Sequence, residues 1–510
     1  MNEKYILAHD LGTTGDKASL YDSQGNVLGS VSSGYGTQFP QVNWVEQSPE
    51  DWWQAVCIST NKLISSSGVS QKSIACIVFS GQMMGCVAVD REARPLRSAI
   101  IWADQRGVNE ANSIIDKVGM ENTYRITGHR ASPSYSGAKI LWVRNHEPEL
   151  YQQAHKFLHA KDFIVARLTG NFVTDFSDAG GMNLFDLVGK DWSGSILDAI
   201  DLEREKLPEL HASTDIVGEV KSQVASEVGL LAGTPVVIGG GDGCCAAVGA
   251  GVVREGSAYN YIGSSAWIGI ATREPIFDPG LRTFTWVHLV PDMYHPTGSM
   301  QAAGASYQWL RDVFCLPEIR MAAEQKTSPY DLMNQLAGKS PPGANNLLFL
   351  PYLMGERSPR WNPNARAAFF GLTVKHTRED IIRATLEGIT YNMRVILEAF
   401  EEQGAKVNAM RVIGGGARGE IWRQILADIY RKPVQRLQLV EEATSLGAAL
   451  AGGIGVGIFK DFMIAEQLTP IYDQVLPNPD VKSTYDRLFG IFNRAYEAFV
   501  PLFDELAVPN

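Results

Sequence analysis

Several signatures of common protein classes are missing from this 510-residue chain. Its six cysteines form neither a CxxC pair nor a regular framework, and its nine histidines include no HxH or HExxH pair. A disulfide scaffold and a zinc site are therefore not expected. The longest apolar run, LGAALAGGIGVGIF from Leu446, is glycine-rich and too short to cross a bilayer. Because the N-terminus MNEKYILAHDLG has no basic region followed by an apolar core, we predict a cytoplasmic protein with reduced thiols.

Positive charge is also scarce. The chain has 45 Lys and Arg against 56 Asp and Glu, a formal net charge of -11. This balance argues against non-specific binding to nucleic acid or to an anionic membrane, although a local pocket can still hold an anion. A Walker A motif is absent as well, because the one GK[ST] triplet, at Gly338, has Met333 where the motif requires glycine. Any nucleotide must be bound in another way.

The composition, 45% hydrophobic and 20% charged, is that of a globular protein long enough for two or three domains. Two segments share a pattern of strand, small-residue turn and strand: YILAHDLGTTGDKASLYDSQGNVLG from Tyr5 and SAYNYIGSSAWIGIATREP from Ser257. Helix-like stretches from Pro49 and from Gly137 alternate with strands such as SIACIVFSG from Ser73. This alternation predicts an α/β architecture, and the repeat predicts two related domains that meet face to face.

The boundary between these domains is predicted at residues 252–256, just before the second copy of the repeat. It gives an N-terminal domain of residues 1–252 and a C-terminal domain of residues 253–510. No low-complexity linker marks the join, so we expect a compact connection about which the domains can hinge.

The stretch VVIGGGDGCCAAVGAG, residues 236–251, places one carboxylate among glycines and other small residues. The pattern predicts a buried strand ending at Ile238, a glycine turn, and a closely packed helix from Cys244 to Gly251. Asp242 either caps that helix or meets a substrate that the glycines allow to approach the backbone. The local pattern leaves both interpretations open.

Two turns of the repeat have the composition of an anion site. In the first, Gly12, Thr13 and Thr14 can direct backbone N–H groups and hydroxyls at phosphate oxygens, and Asp10 ends the preceding strand where Mg²⁺ can be held. An ordinary hairpin is the alternative. Lys17 either screens phosphate charge or is a solvated strand residue.

The matching turn of the second copy is Gly263, Ser264 and Ser265, which alone would indicate a plain turn. Because two such hairpins come from two domains, they can clamp one triphosphate between them. Downstream, VIGGGARGEIWRQILADIYRKPV from Val412 predicts a strand, a glycine turn at 414–416 and a helix. That turn offers either a flat backbone surface for an adenosine or only a tight connection.

These segments together resemble the FGGY carbohydrate kinases of the actin and hexokinase superfamily over nearly the whole chain. Further matches are GHRASPSYSGAKILWVRNHEPEL from Gly128, which resembles the first family signature, FLHAKDFIVARLTGNFVTDFSDAGG from Phe157, GERSPRWNPNARAAFFGL from Gly355 and EEATSLGAALAGG from Glu441. Within the first of these, Lys139 and Trp142 have the expected spacing. The resemblance implies an α/β fold of two actin/hexokinase-like (ribonuclease H-like) domains around an interdomain cleft.

The activity that the resemblance implies is transfer of the γ-phosphoryl group of ATP to a sugar hydroxyl, with Mg²⁺ as the metal cofactor. Asp242 would be the catalytic base and Asp10 the metal ligand. The ATP-binding residues that it implies are Gly12, Thr13, Thr14, Lys17, Gly263, Ser264, Ser265, Gly304, Gly415, Gly416 and Ala417. A chaperone or filament protein of the same superfamily would not need the sugar-facing loops described next.

The substrate-binding residues implied by the resemblance are Gln82, Met83, Met84, Gly85, Trp102, Asp104, Asp242 and Gly243. The loop SGQMMG from Ser80 corresponds to a loop that reads QMHG in xylulose kinases, so Met84 replaces a histidine, and Gly243 stands where those enzymes have asparagine. Glycerol is disfavoured, because glycerol kinases carry an Arg-Glu pair at the place of the two methionines. One of the two methionines is expected to serve core packing instead.

The leading substrate is therefore D-xylulose or a similar ketose. Another polyol or sugar acid and a non-catalytic, regulatory ATP-binding member of the superfamily are the alternatives. The expected partner is this small molecule, with no nucleic acid and no membrane. The sequence leaves open which hydroxyl is phosphorylated and also the oligomeric state, with a homodimer among the assemblies that it allows.

Overall fold

The structure is a computed structural model that describes residues 3–438 and 442–507. Glu441, where the last family-like segment begins, lies outside the described residues. Two large sheets dominate, one in each half of the chain.

The elements of the first half run in chain order to the end of the small-residue helix. Its strands are β1 (Tyr5–Leu11), β2 (Gly15–Tyr21), β3 (Val27–Gly34), β4 (Glu46–Gln47), β5 (Ile74–Gly81), β6 (Val87–Val89), β7 (Ala99–Ile100), β8 (Lys156–Leu158), β9 (Val173–Asp175), β10 (Phe185–Asp186), β11 (Asp191–Trp192), β12 (Glu209–His211), β13 (Ile216–Glu219) and β14 (Pro235–Gly241). Its helices are α1 (Pro49–Ser67), α2 (Val108–Val118), α3 (Met120–Thr127), α4 (Ser136–His146), α5 (Pro148–Gln153), α6 (Ala160–Thr169), α7 (Phe176–Ala179), α8 (Gly194–Ile200), α9 (Ser222–Val228) and α10 (Asp242–Gly249).

The second half begins with the second hairpin. Its strands are β15 (Ala258–Ile262), β16 (Ala266–Ile270), β17 (Phe284–Val287), β18 (Tyr294–Met300), β19 (Leu348–Leu350), β20 (Ala368–Phe370), β21 (Met410–Ile413), β22 (Val434–Leu437) and β23 (Ile471–Val475). Its helices are α11 (Gly304–Phe314), α12 (Leu316–Gln325), α13 (Pro329–Lys339), α14 (Arg378–Glu402), α15 (Glu420–Tyr430), α16 (Ala443–Gly455), α17 (Ile464–Leu468) and α18 (Lys482–Ala507).

The two large sheets share a six-strand arrangement, which confirms the internal repeat. In the first, the order is β13-β14-β5-β1-β2-β3, with β14, β5 and β1 parallel and the other pairs antiparallel. In the second, the order is β17-β18-β16-β15-β21-β22-β23, with β15, β21 and β22 parallel. Each sheet thus contains an antiparallel hairpin with a third strand, two further parallel strands and an antiparallel edge strand. The second sheet has one more strand, β17, which pairs with β18.

The helix predicted from Pro49 forms as α1, because Ser48 caps its first turn and Gly68 ends it with a left-handed φ of 69°. The stretch from Gly137 is not one helix. It divides at Pro148 into α4 and α5, since proline cannot continue the hydrogen-bond ladder of a preceding helix, and then enters strand β8.

The glycines before Asp242 correct a second prediction, because they extend strand β14 instead of forming a turn. Gly240 and Gly241 pair with Ser80 and Gly81 of β5, and α10 begins at Asp242. A Cβ on Gly239 would lie 1.8 Å from the carbonyl oxygen of Phe79, so the strand passes too close to β5 for any larger residue.

The small-residue helix α10 packs closely, as predicted, and its partner is α16 from the other half of the chain. A Cβ on Gly249 would lie 1.7 Å from the carbonyl oxygen of Ala443, and one on Gly447 would lie 1.9 Å from that of Cys245. Glycine is required at both positions to let the two backbones approach. Helix α16 also shares a core cluster with Ile6 and Val78 of the first sheet, so the two halves form one continuous interface there.

The predicted boundary at 252–256 falls in the connection between α10 and β15. The division into domains of residues 1–252 and 253–510 stays a prediction. Within the described ranges, no helix is both long enough and apolar enough to cross a membrane.

Candidate active site

Asp10 and Asp242 lie at the carboxyl ends of two parallel strands of the first sheet. Asp10 pairs with Ser80 of β5, and Ser80 pairs with Gly240, two residues before Asp242. Two strand spacings, roughly 10 Å, therefore separate the strands that present the two acids. This edge of a parallel sheet is where α/β proteins usually bind ligands.

Burial makes both acids difficult to ionise. It raises the pKa of Asp242 to about 7, and the nearby carboxylates of Asp10 and Asp178 add to the shift, opposed by the N–H group of Gly243. Burial likewise raises the pKa of Asp10 to about 6, with a contribution from Asp16. An acid with a pKa near neutral pH can exchange a proton with a substrate at that pH.

The hydrogen bonds of these two carboxylates differ. Asp242 Oδ1 accepts the N–H of Gly243 at 2.7 Å, which fixes the carboxylate and leaves Oδ2 for another partner. Asp10 Oδ1 is buried and has no hydrogen-bond partner among the described residues. A buried, unpartnered carboxylate oxygen is costly unless a ligand, such as a cation or water, satisfies it.

The first predicted phosphate turn forms between β1 and β2. The N–H of Gly12 donates to the carbonyls of Asp10 and Gly15, at 3.1 and 3.0 Å. The carbonyl of Thr13 accepts the side chain of Gln47 at 2.7 Å. Thr14, at the tip, is exposed.

Lys17 is already paired within the protein. Its ammonium lies 2.6 Å from the carboxylate of Glu442, which precedes α16, and both side chains keep about a quarter of their surface exposed. The ion pair therefore joins the first hairpin to the second half of the chain. A role of Lys17 in screening phosphate charge stays a prediction.

The ATP-binding residues predicted in the second half come together at one place. The carbonyl of Ser264 accepts the N–H groups of Ala303 and Ala305, and the carbonyl of Gly263 accepts that of Gly304, all at 2.9 to 3.0 Å. A Cβ on Gly304 would lie 2.3 Å from the carbonyl oxygen of Gly263, so only glycine allows this contact. The start of α11 is thereby held against the turn after β15.

The glycine turn after β21 lies beside the same strand end. Gly414 has a φ of 83°, and a Cβ on Gly416 would lie 2.5 Å from the side chain of Ile262, the last residue of β15. By contrast, a Cβ on Gly415 would meet open space. Ala417 is buried, and its carbonyl accepts the guanidinium of Arg423 at 2.7 Å.

One aromatic residue that the sequence analysis did not single out, Tyr259, connects the halves near Asp242. Tyr259 of β15 donates its hydroxyl to the carbonyl of Gly243 at 2.9 Å and accepts the indole N–H of Trp267 at 2.8 Å. Trp267 stacks on Tyr261, with 4.0 Å between the ring centroids. Only tertiary structure brings β15 to α10, so nothing in the local sequence pointed to this bridge.

The two methionines of the loop after β5 have different environments, as expected. Met83 is 5% exposed and packs against Gly241, where a Cβ would lie 2.5 Å from its sulfur. Met84 is half-buried with a φ of 64°, an unusual backbone conformation for a residue other than glycine. Its carbonyl and that of Ser134 accept the buried ammonium of Lys139, and burial lowers the pKa of Lys139 to about 7.

Gln82 and Trp102 tie the predicted substrate residues to the first phosphate turn. The side chain of Gln82 donates to Gln47 at 2.9 Å, and Gln47 donates to the Thr13 carbonyl. The indole of Trp102 donates to the Thr13 hydroxyl at 3.0 Å. The residues predicted to contact the sugar and those predicted to contact phosphate are therefore adjacent in the first half.

Asp104 is fully buried, and its carboxylate has partners within the protein. It accepts Arg106 through three side-chain contacts of 2.8 to 3.0 Å and the N–H of Val45 at 2.6 Å. Arg106 in turn stacks on Trp44. This arrangement favours a role in fixing the segment after Ile101, and contact of Asp104 with a sugar hydroxyl stays a prediction.

A surface cavity in the first half is lined by none of these residues. It encloses about 500 Å³ and is lined by cationic side chains that include Lys156, Lys190 and Arg204. Two of these cationic side chains have partners within the protein, because Arg204 is paired with Asp191 and Lys156 donates to a carbonyl. The acids and turns described above are the better candidate for chemistry.

Comparisons with known proteins agree with this arrangement. A model of the FGGY family of carbohydrate kinases, N-terminal domain, matches residues 5–249, and the C-terminal domain model of that family matches residues 258–456. The xylulose kinase of Bacillus subtilis strain 168 is 34% identical over 494 residues, which is 97% of each chain. The gluconokinase of the same strain is 32% identical over 489 residues, which is 96% of this chain and 94% of that one.

The fold also matches that of a solved sugar kinase structure. The ligand-bound xylulose kinase from Lactobacillus acidophilus has a TM-score of 0.92 and 28% identity, covering 99% of this chain and 100% of that chain. The fold and the site thus define a two-domain phosphotransferase of the actin/hexokinase type. The chain belongs to the FGGY family of carbohydrate kinases, and it is an ATP-dependent sugar kinase.

Proposed function

We propose that the protein transfers the γ-phosphoryl group of MgATP to a hydroxyl of D-xylulose or a similar ketose, with Asp242 as the catalytic base. The observation that carries this proposal is the pair of half-buried acids, Asp10 and Asp242, which follow β1 and β14 at the same edge of one sheet, with the predicted phosphate turn at 12–14 directly after Asp10. A pKa of about 7 for Asp242 suits a group that must accept a proton near neutral pH.

We propose that the phosphoryl group passes from ATP to the acceptor in a single step, with Asp242 as the base. The acceptor oxygen bonds to the γ-phosphorus, the bond between that phosphorus and the β–γ bridging oxygen breaks, and ADP leaves. The acceptor proton passes to the Asp242 carboxylate as the new bond forms. A positioned base of this kind contributes roughly 10²–10⁴-fold, and positioning and charge neutralisation supply much of the rest.

We propose Asp10 as the residue that holds Mg²⁺, directly or through water. Its buried Oδ1 has no hydrogen-bond partner within residues 3–438 and 442–507, and carboxylate oxygens are the ligands that Mg²⁺ prefers, so the residue fits the ion. When bound, Mg²⁺ neutralises phosphate charge. The turns at 12–14 and 263–265, with Gly304 and residues 415–417, are the proposed phosphate and adenosine contacts.

The acceptor proposal rests on the relatives and on the loop at 82–85. D-xylulose is favoured because the relatives named above include two xylulose kinases. A sugar acid is the second candidate, because the gluconokinase is almost as similar and because Met84 and Gly243 depart from the xylulose kinase pattern. A Cβ on Gly243 would meet open space, so there is room beside the base for a different acceptor group.

Catalysis is proposed to involve closure of domains 1–252 and 253–510 on the acceptor and MgATP, which would exclude water. The bridge between Tyr259 and Gly243 supports a close approach of the two halves at the base. A cytoplasmic location is proposed because the co-substrate is ATP and because all six cysteines are free and buried.

The homodimer also stays a proposal, supported by the exposed apolar side chains Val313, Phe314 and Leu316 between α11 and α12. Sedimentation velocity tests it, and a single species of monomer mass would contradict it.

A coupled ADP-release assay tests the function. MgATP is offered with ketoses, polyols, aldoses and sugar acids, including D-xylulose and D-gluconate, and ADP release without acceptor is the baseline. Acceleration by D-xylulose or a related ketose is expected. Acceleration by D-gluconate alone would move the assignment to the sugar acid, and ATP binding without acceleration by any acceptor would favour a regulatory ATP-binding protein.

A further inference from the structure

The segment from Phe157 to Gly181 resembles the family, but none of its residues has a role in the function proposed above. Its centre is Lys161, in the first turn of α6, a lysine with no solvent exposure. The ammonium lies 2.6 Å from Asp162, 2.9 Å from Asp175 and 3.3 Å from Asp178, and these carboxylates are also fully buried. Such a cluster beside a candidate active site requires an explanation, because buried charges are retained only when paired.

The cluster is held by mutual neutralisation. Burial opposes the charge of Lys161, but the carboxylates of Asp162, Asp175 and Asp178 hold its pKa well above the usual range. For Asp178, burial opposes ionisation, yet His159 and Lys161 lower its pKa overall. Removing the single ammonium would leave three carboxylates close together without a lysine partner.

A metal ion is not needed to explain the cluster. His159, Asp162 and Asp178 present ligand atoms within 4.8 Å of one another, which is a suitable spacing for an ion. However, the ammonium of Lys161 already lies within 3.3 Å of two of these residues and supplies the positive charge.

A first chain leads from Lys161 to the proposed base, and it begins with the ion pair between Lys161 and Asp175 and continues through hydrogen bonds. Asp175 Oδ2 accepts both the N–H of Ser177, at 2.9 Å, and its hydroxyl, at 2.5 Å. The Ser177 oxygen in turn accepts the N–H of Gly241 at 3.0 Å. Gly241 is the residue immediately before Asp242, so this chain fixes the point from which the carboxylate projects.

A second chain leads to the proposed acceptor loop. Asp178 Oδ1 and His159 Nδ1 are 2.6 Å apart, and His159 Nε2 lies 2.7 Å from the hydroxyl of Ser136. That hydroxyl donates to the carbonyl of Gly85 at 2.6 Å. Gly85 follows Met84, the loop residue in the strained backbone conformation.

Gly181 packs closely between this second chain and the loop. A Cβ on Gly181 would lie 3.1 Å from the backbone nitrogen of Met84 and 3.2 Å from the His159 ring. A shift of the imidazole would therefore be transmitted to the loop.

We propose that Lys161 is a positioning residue that fixes the end of strand β14, from which Asp242 projects, relative to the acceptor loop. It acts through two separate chains of polar contacts, each of which begins with an ion pair of Lys161, and one runs through Ser177 and the other through Ser136. This inference rests on the proposed function, because it takes Asp242 as the base and the loop at 82–85 as an acceptor contact. Lys161 itself touches neither, and its effect is on the relative position of the two.

The test uses one variant for each chain and one for their junction, all in the full-length protein. Ser177→Ala cuts the first chain, Ser136→Ala cuts the second, and Lys161→Met removes the junction while keeping a long apolar stem. Ser340→Ala is the matched control, because Ser340 also donates to a buried carboxylate, that of Asp380, but belongs to neither chain.

The first measurement does not depend on activity. In amide hydrogen exchange, Ser177→Ala is expected to accelerate exchange in the peptide that contains 240–244 and not in the one that contains 82–86. Ser136→Ala should show the reverse pattern, and Lys161→Met should affect both peptides. If each serine variant affects both peptides equally, or neither more than Ser340→Ala does, the two-chain inference is wrong, even if Lys161→Met does not fold.

The second measurement separates kcat from the acceptor KM, with D-xylulose as the acceptor. Ser177→Ala is expected to lower kcat about tenfold with little change in KM, and Ser136→Ala to raise KM about tenfold with little change in kcat. Equal effects of both variants on both constants would overturn the proposal. Selective exchange effects in a protein that phosphorylates no acceptor would contradict the proposed function while supporting the two chains.

Discussion

Replacing Asp242 by asparagine is expected to abolish phosphoryl transfer and, at alkaline pH, to stabilise the fold. The pKa of this carboxyl rises from its ordinary value of 3.8 to about 7 in the folded protein, chiefly through burial. A group whose folded pKa lies above its unfolded pKa favours folding only in its protonated form. Its stabilising contribution to the free energy of unfolding is therefore fully present below about pH 4 and is lost as the pH rises through about 7.

The magnitude follows from this shift. A difference of about 3 pKa units at 1.36 kcal/mol each lowers the free energy of unfolding of the wild type by about 4 kcal/mol above pH 7. About 3 kcal/mol of this decrease takes place between pH 5 and pH 8. These values are upper limits, because Asp242 retains some contact with solvent. Asparagine cannot ionise and keeps an oxygen that can accept the N–H of Gly243, so Asp242→Asn avoids this loss.

The assay is denaturant or thermal unfolding of the wild-type protein and Asp242→Asn at pH 5, 6, 7 and 8. The stability advantage of the variant is expected to grow with pH and to level off above about pH 7. Asp198→Asn, at an exposed position in α8, is the control and should show no such trend. An advantage that stays constant from pH 5 to pH 8, or a variant less stable than the wild type at pH 8, would refute the reasoning.

Three further predictions concern the active site. First, kcat/KM for the acceptor is expected to fall about tenfold per pH unit below about pH 7, because Asp242 must be deprotonated to act as a base; a flat profile between pH 5 and pH 7 would contradict this. Second, Gly447→Ala is expected to destabilise the protein by about 1–3 kcal/mol and to lower kcat, because the added methyl group would push α16 away from Cys245 in the helix that begins at Asp242. Unchanged unfolding and turnover would show that the two helices do not need this close approach. Third, Met84→His is expected to raise kcat/KM for D-xylulose relative to D-gluconate about tenfold, and an unchanged substrate ranking would show that the loop does not set specificity.

The sequence predicted those parts of the fold that depend on local pattern. The hairpins at Tyr5 and Ser257 and the helix from Pro49 could be predicted because their apolar patterns and turn residues lie within short segments of the chain. The strand through Gly239 was missed, because glycines usually punctuate structure and only the close approach of Phe79 explains them here.

The parts that the sequence did not predict depend on contacts between distant segments. The partner of Lys17 is Glu442, 425 residues further along the chain. The bridge from Tyr259 to Gly243 and the docking of α16 on α10 likewise need both halves to be in place.

In the candidate site, too, some features could be predicted from the sequence and others depend on contacts between distant segments. Asp10 and Asp242 stand out by the small residues around them, and their proposed roles come from the family resemblance. Their raised pKa values follow from burial that only the folded chain provides. The environment of Asp104 was not predicted either, because spacing alone does not show that Arg106 and Val45 already occupy its carboxylate.

The most direct test of the central claim is a single-turnover measurement of phosphoryl transfer. Enzyme in excess over ATP labelled at the γ-phosphate is mixed with Mg²⁺ and D-xylulose, and the labelled sugar phosphate is followed in time for the wild type and for Asp242→Asn. The account predicts labelled product with the wild type and transfer at least about 100-fold slower with the variant, while both proteins bind ATP equally. Transfer by Asp242→Asn at the wild-type rate would show that this carboxylate is not the base.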